Sequence, residues 1–150
     1  SENDQNYIIY RLADVLLMKA EALIMQGHNE EAADLIDRTR ERAGLGETTL
    51  SDDRMVMLET LLVERQKEFF GEGKNWFDLL RIGLRSEQLN DTQYKTLFVE
   101  QALKAVGASR QSLGRATLAN SGSWYLPYSE DELSKNPLLE QSDYYQSISN

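Results

Sequence analysis

The chain has 150 residues, 41% of them hydrophobic, with 25 acidic against 16 basic side chains and a net charge of −9. That length suits one domain with a sizeable core, and the acidic balance counts against nucleic acid or an anionic membrane surface as partner. Cysteine is absent, which excludes disulfides, thiolate chemistry and cysteine-based zinc sites.

No apolar run approaches the ~20 residues that a membrane-spanning helix needs. The opening SENDQNYIIYRLADVLL lacks a basic segment followed by an apolar one, so no signal peptide is read there. The amphipathic pattern begins almost at once, and the expectation is a fragment of something larger.

The first predicted helix covers about residues 10–26, with Leu12, Ala13, Leu16, Leu17, Ala20, Leu23 and Ile24 at helical spacing. Gly27 stands where a left-handed cap ends it. A second helix follows, with Asn29 as N-cap, Glu30 and Glu31 opposing the macrodipole, and Ala32, Leu35, Ile36, Thr39 and Ala43 as its buried stripe. Gly44 closes it. So short a turn makes the pair an antiparallel hairpin, and small Ala20 and Ala32 facing each other follow the packing logic of a tetratricopeptide unit.

Ser51, or an aspartate after it, caps a third helix of about residues 52–71. Its apolar line runs Met55, Leu58, Leu62, Arg65, Phe69, Glu72, so two charged residues lie on the core-facing side. A short fourth helix is expected at 75–82 and a fifth at 90–106, from Tyr94, Leu97, Phe98, Leu103 and Val106. Residues 108–123, rich in Ser, Ala and Gly, read as a long loop. WYLPY is extended, because the residue before Pro127 is pushed out of the helical region. Ser129 with Glu132 forms a capping box. From Asn136 onward no periodicity remains, and the tail is expected to lie across the surface of the helices.

The stretch ERQKEFFGEGKNWFDLLR, residues 64–81, asks whether this is chemistry or architecture. Glu64, Glu68 and Glu72, four apart, put three carboxylates on one helix face, and paired carboxylates are the machinery of glycoside hydrolysis. Arg65 beside them would lower their pKa values rather than raise one. The single histidine, His28, has no Glu-x-x-His partner, and no P-loop, G-x-S-x-G or H-E-x-x-H occurs. The expectation is therefore a protein that is not an enzyme and has no cofactor or metal. Architecture explains more. An arginine on an apolar line needs an acid, since a buried charge robbed of its partner costs roughly 3–5 kcal/mol. Glu68, Glu72 or Asp78 could hold Arg65. Gly73 permits a sharp turn that lays Trp76 and Phe77 on the third helix, and Asp78 with Arg81 ties the outer face.

The order RLADVLLMKAEAL, EEAADLIDRTRERAGL, VERQKEFFGEGKNWFDLLR and WYLPYSEDELSKNPLLEQSDYY resembles the SusD/RagB family of glycan-binding surface lipoproteins, except over about residues 84–122. The family's first motif falls on Arg11, Ala13, Asp14, Ala20, Glu21 and Ala22, and its Arg-x-Arg-Ala-Gly on Arg40, Arg42, Ala43 and Gly44. Its central run falls on Glu64, Arg65, Glu68, Glu72, Gly73, Trp76, Asp78 and Leu79. Its last motif falls on Pro127, Asn136, Pro137, Gln141 and Tyr144 or Tyr145. Lys74 occupies a position often polar or basic in the family. Tyr128 replaces a frequent isoleucine, and QSDYY lacks the usual Asn-Pro-Gly.

The resemblance implies an all-α fold. Tetratricopeptide-like hairpins, long irregular loops and an extended C-terminal tail would form one helical domain over residues 1–150, the C-terminal part of such a protein, with a variable region at about 84–122. It implies capture of a glycan or other nutrient beside a SusC-like TonB-dependent outer-membrane transporter, with the export signal and lipid anchor outside this chain. Trp124, Tyr125 and Tyr128 are then the sugar-contact candidates, because sugar C–H faces lie on aromatic rings. Each has a plainer reading as a clamp on a helix pair, and Trp76 reads as core. The competing functional class is a helical adapter for a protein partner.

Overall fold

The computed structural model describes residues 9–148. Among the described residues it is all-α, with helices α1 (Leu12–Gln26), α2 (Asn29–Arg42), α3 (Arg54–Glu68), α4 (Asn75–Leu89), α5 (Thr92–Leu103) and α6 (Ala108–Leu118). A 3-10 turn (Ser121–Trp124) and short helices α7 (Glu130–Lys135) and α8 (Asp143–Ile148) complete it. Where a single domain is expected, the chain divides into two compact units, one ending at Arg81 and the other starting at Ile82, within α4.

In the first unit α1, α2 and α3 pack on one another. Gly27, at φ 83°, takes the left-handed cap and lets α2 fold back on α1. Leu17, Ala20, Ile24, Ala32 and Ile36 are all fully buried along the hairpin seam, where the two alanines allow close approach. Leu58, Leu61, Leu62 and Met57 of α3 close the core. Asp53 caps α3 by accepting from the N–H groups of Met55 and Val56, at 2.7 and 3.4 Å. Asn29 is not a cap. It begins α2, and its side-chain amide donates to the Ser51 carbonyl at 2.9 Å, tying the hairpin to the approach to α3.

Two expectations fail around α4. The helix runs to Leu89 rather than ending near Ile82. Gly83 does not break it, because the missing Cβ makes room for the Phe98 and Trp124 rings, 3.0 and 3.1 Å from where that atom would sit. Trp76 and Phe77 do not pack into a core either: they are 39% and 67% exposed. At about 100° per residue, a helix that turns Asp78, Leu79 and Ile82 inward must turn the two preceding residues away.

In the second unit, Tyr94, Leu97, Phe98, Leu103 and Trp124 form the core. Residues 108–118, expected as loop, are helical and lie against α5. Ala, Arg, Gln and Leu there are good helix formers. The apolar stripe is absent because α6 buries no residue. Gly114 permits the approach to α5, since a Cβ there would come within 2.5 Å of Leu103 Cδ2. The capping box on α7 is present, Ser129 Oγ accepting from the Glu132 N–H at 3.2 Å. The tail carries one more helix, α8, not read from the sequence.

Candidate functional site

The charged stretch of the first unit is built from four helices and one turn. Arg65 of α3 is 4% exposed, and its Nε donates to Asp78 Oδ2 of α4 at 2.7 Å. Its Nη2 lies 3.5 Å from Asp14 Oδ1 of α1. Asp14, itself buried, also accepts from Lys74 and from the Arg11 N–H, the latter at 3.3 Å. A second acid of α1, Glu21, receives Arg81 through two bonds of 2.7 and 3.1 Å, and Arg81 also reaches Asp78 at 3.2 Å.

The three glutamates of α3 and the following turn separate rather than converge. Glu64 accepts from Arg40 at 3.0 Å. Glu68 accepts from Arg11 and, at 2.6 Å, from Arg42. Glu72 accepts from Arg11 at 2.8 Å and Lys74 at 3.1 Å. Of the three expected partners of Arg65, Asp78 holds it and Glu68 and Glu72 do not; Asp14 of α1 is its second acid. The ring of buried Phe69 lies 4.7, 4.8 and 4.7 Å from the charges of Arg11, Arg65 and Lys74. Its quadrupole adds favourable cation–π terms where three cations crowd together.

These partners shift titration. The hydrogen bond from Arg11, then that from Lys74, holds the Glu72 carboxyl below its usual range. Burial pushes Lys74 down, but hydrogen bonds to Asp14 and Glu72 outweigh it and the amine stays above its usual value. Both groups are therefore charged at neutral pH. Committed ion pairs of this kind fix helix positions, whereas general acid–base catalysis calls for a carboxyl poised near the working pH. Among the described residues no group of three or more His, Cys, Asp or Glu is placed to hold a metal ion.

Beside the network lies a cleft of about 630 Å³, lined among the described residues by those of the first unit. Ile9, Tyr10, Met18 and Phe77 form its apolar wall, and Arg11, Asp14, Glu72, Lys74, Asp78 and Arg81 are among its polar lining. Tyr10 and Phe77 are 68% and 67% exposed, and Lys74 Nζ sits 5.9 Å from the Tyr10 ring centre.

The aromatic candidates of the second unit divide. Trp124 is 2% exposed, its Nε1 donating to the Leu118 carbonyl at 2.9 Å and its ring 4.5 Å from that of Phe98. It is a core residue and offers no open ring face, which corrects its reading as a sugar platform. Tyr125 and Tyr128 remain 50% and 46% exposed. Their backbones are held by the tail: Gln141 accepts from the Tyr128 N–H at 3.3 Å and donates to its carbonyl at 3.1 Å, and Tyr145 donates to the Tyr125 carbonyl at 2.7 Å. The tail thus holds this segment while leaving two rings accessible.

Sequence reasoning left Arg11, Asp14, Glu21, Arg40, Arg42 and Lys74 out of the network. A signal existed for the two acids: they lie seven residues apart, two turns, in line with buried Leu17 and Ile24.

The model of the SusD family matches residues 1–145. Three curated relatives come from Formosa agariphila. SusD-like protein P38 is 38% identical over 89 residues, 54% of this chain and 18% of its own. SusD-like protein P2 is 37% identical over 98 residues, 57% of this chain and 19% of its own. SusD-like protein P25 is 28% identical over 144 residues, 94% of this chain and 24% of its own. The matches thus span between about a fifth and a quarter of those relatives' lengths. A solved SusD superfamily protein from Bacteroides fragilis aligns with a TM-score of 0.63 at 28% identity, over 91% of this chain and 28% of that one. With a helical fold and a family match over nearly its whole length, this chain belongs to the SusD family.

Proposed function

We propose that this chain is part of a cell-surface protein that binds oligosaccharides or another nutrient without cleaving them, and passes them to a TonB-dependent outer-membrane transporter. The observation that carries the reading is the family match over residues 1–145. Exposed Tyr125 and Tyr128 add to it, as ring faces for sugar C–H groups next to the amide of Gln141. No helix among the described residues is long and apolar enough to cross a membrane. Attachment at the outer membrane is proposed from the family match, through a lipid anchor outside this chain.

A glycan array probed with the intact protein tests the reading, followed by calorimetry on Tyr125→Ala/Tyr128→Ala. Retention of a glycan, weakened at least about tenfold by the double substitution (~1.4 kcal/mol or more), supports it. The adapter reading draws on the tight α1–α2 hairpin, with Ala20 and Ala32 both fully buried. A protein partner captured with no glycan retained would favour the adapter and refute the first reading.

A further inference from the structure

We infer that the cleft of the first unit is a seat for an uncharged sugar residue, separate from Tyr125 and Tyr128; the inference rests on the glycan-binding reading above. Its volume, about 630 Å³, falls within the range of roughly 300–1,000 Å³ usual for small-ligand sites. The lining is two-sided in the way a sugar is. Exposed Tyr10 and Phe77 offer rings to a C–H face. Arg11, Glu72 and Arg81, with side chains between 32% and 39% exposed, offer donors and acceptors to hydroxyls. Here two exposed aromatic side chains line the same open cleft as accessible charged groups.

The charge pattern selects the class. Arg11, Lys74, Arg65 and Arg81 line the cleft, but each is already paired with a carboxylate: Glu72 and Glu68, Asp14 and Glu72, Asp78, and Glu21 respectively. A uronate or sulfate would bring its charge beside Asp14, Glu72 and Asp78 without meeting an uncommitted cation, and like charges in a partly dry site repel. Hydroxyls have no such difficulty. A paired carboxylate keeps spare lone pairs and a paired guanidinium keeps spare N–H groups, so an uncharged sugar adds bonds without breaking the lock.

The test measures binding of the intact protein to neutral malto-, xylo-, manno- and laminari-oligosaccharides and to oligogalacturonates and alginate oligomers. Wild type is compared with Phe77→Ala, Tyr10→Ala, Phe77→Trp and Tyr125→Ala/Tyr128→Ala, with thermal unfolding as the check on folding. Phe77 and Tyr10 are exposed, so their alanine variants are expected to fold. The expected result is a neutral oligosaccharide bound, weakened at least tenfold by Phe77→Ala or Tyr10→Ala and retained by Phe77→Trp. A neutral ligand bound equally well by both alanine variants, whether or not Tyr125→Ala/Tyr128→Ala weakens it, overturns the cleft and leaves the glycan reading standing. Preference for the acidic set overturns the proposed class. No binding in either set overturns the glycan reading, and the cleft with it.

Discussion

Replacing Asp78 by alanine probes the lock of the first unit. Asp78 holds Arg65 at 2.7 Å in a seam where both side chains are no more than 6% exposed. Without it, Arg65 keeps Asp14 at 3.5 Å, a carboxylate shared with Lys74, and Arg81 loses its 3.2 Å bond. A charge-assisted hydrogen bond is worth about 1.5–3 kcal/mol, and leaving the partner charge stranded raises the loss to about 3–5 kcal/mol. The exposed pair Lys135–Asp131, at 73% and 71% exposure, sets the opposite scale, about 0.3–0.5 kcal/mol. Urea denaturation followed by far-UV circular dichroism gives the loss for Asp78→Ala, Arg65→Met and the double variant. Arg65→Met fills the seam with an apolar chain, and in the double variant no charge is stranded. The double should therefore be more stable than Asp78→Ala, with a coupling of about 2 kcal/mol or more. A single-variant loss under about 1 kcal/mol, or a coupling within about 0.5 kcal/mol of zero, would refute the buried-pair account.

Two further predictions concern stability. The folded Glu72 carboxyl lies below its ordinary value of 4.5, so its contribution is present above that pH and is lost as pH falls through the depressed folded value. Lys74 lies above its ordinary 10.5, so its contribution is present below that pH and disappears as pH rises past the folded value. Unfolding midpoints should therefore fall at both the acid and the alkaline edges, and Glu72→Gln should blunt the acid edge; an acid limb unchanged in that variant contradicts the assignment. Trp124→Ala should cost about 3–5 kcal/mol, as expected for a buried aromatic, whereas Tyr125→Ala should stay within about 0.5 kcal/mol. Equal melting temperatures for the two variants would show that Trp124 is not core.

Legibility followed the physics of each signal. Glycine and acidic caps announce themselves locally, so Gly27, the aspartates before α3, and Ser129 with Glu132 were readable. Arg65 on an apolar line marked a buried ion pair in advance. α6 escaped because an exposed helix needs no apolar stripe and its Ser, Ala and Gly content reads as loop, although Gly114 serves to admit Leu103. For Trp124 the sequence left two readings open, a sugar contact or a clamp on a helix pair, and the packing of Phe98 of α5 and of Gly83 against its ring decides for the core. Tyr125 and Tyr128 were named from the sequence, whereas the cleft could not be assembled from spacing: Tyr10 and Phe77, 67 positions apart, meet only in the fold.

By itself, the amino-acid order determined where the main helices α1, α2, α3 and α5 run, which face of each is apolar, and that charge would have to be accommodated inside. Those are consequences of local geometry, 3.6 residues to the turn. Only the tertiary structure decided that Asp14 and Asp78, from helices on either side, answer Arg65 while Glu68 turns to Arg11 and Arg42. Periodicity reports the phase of a helix about its own axis; which side chains touch depends on how neighbouring axes are placed, and that is settled by packing between residues far apart in the chain.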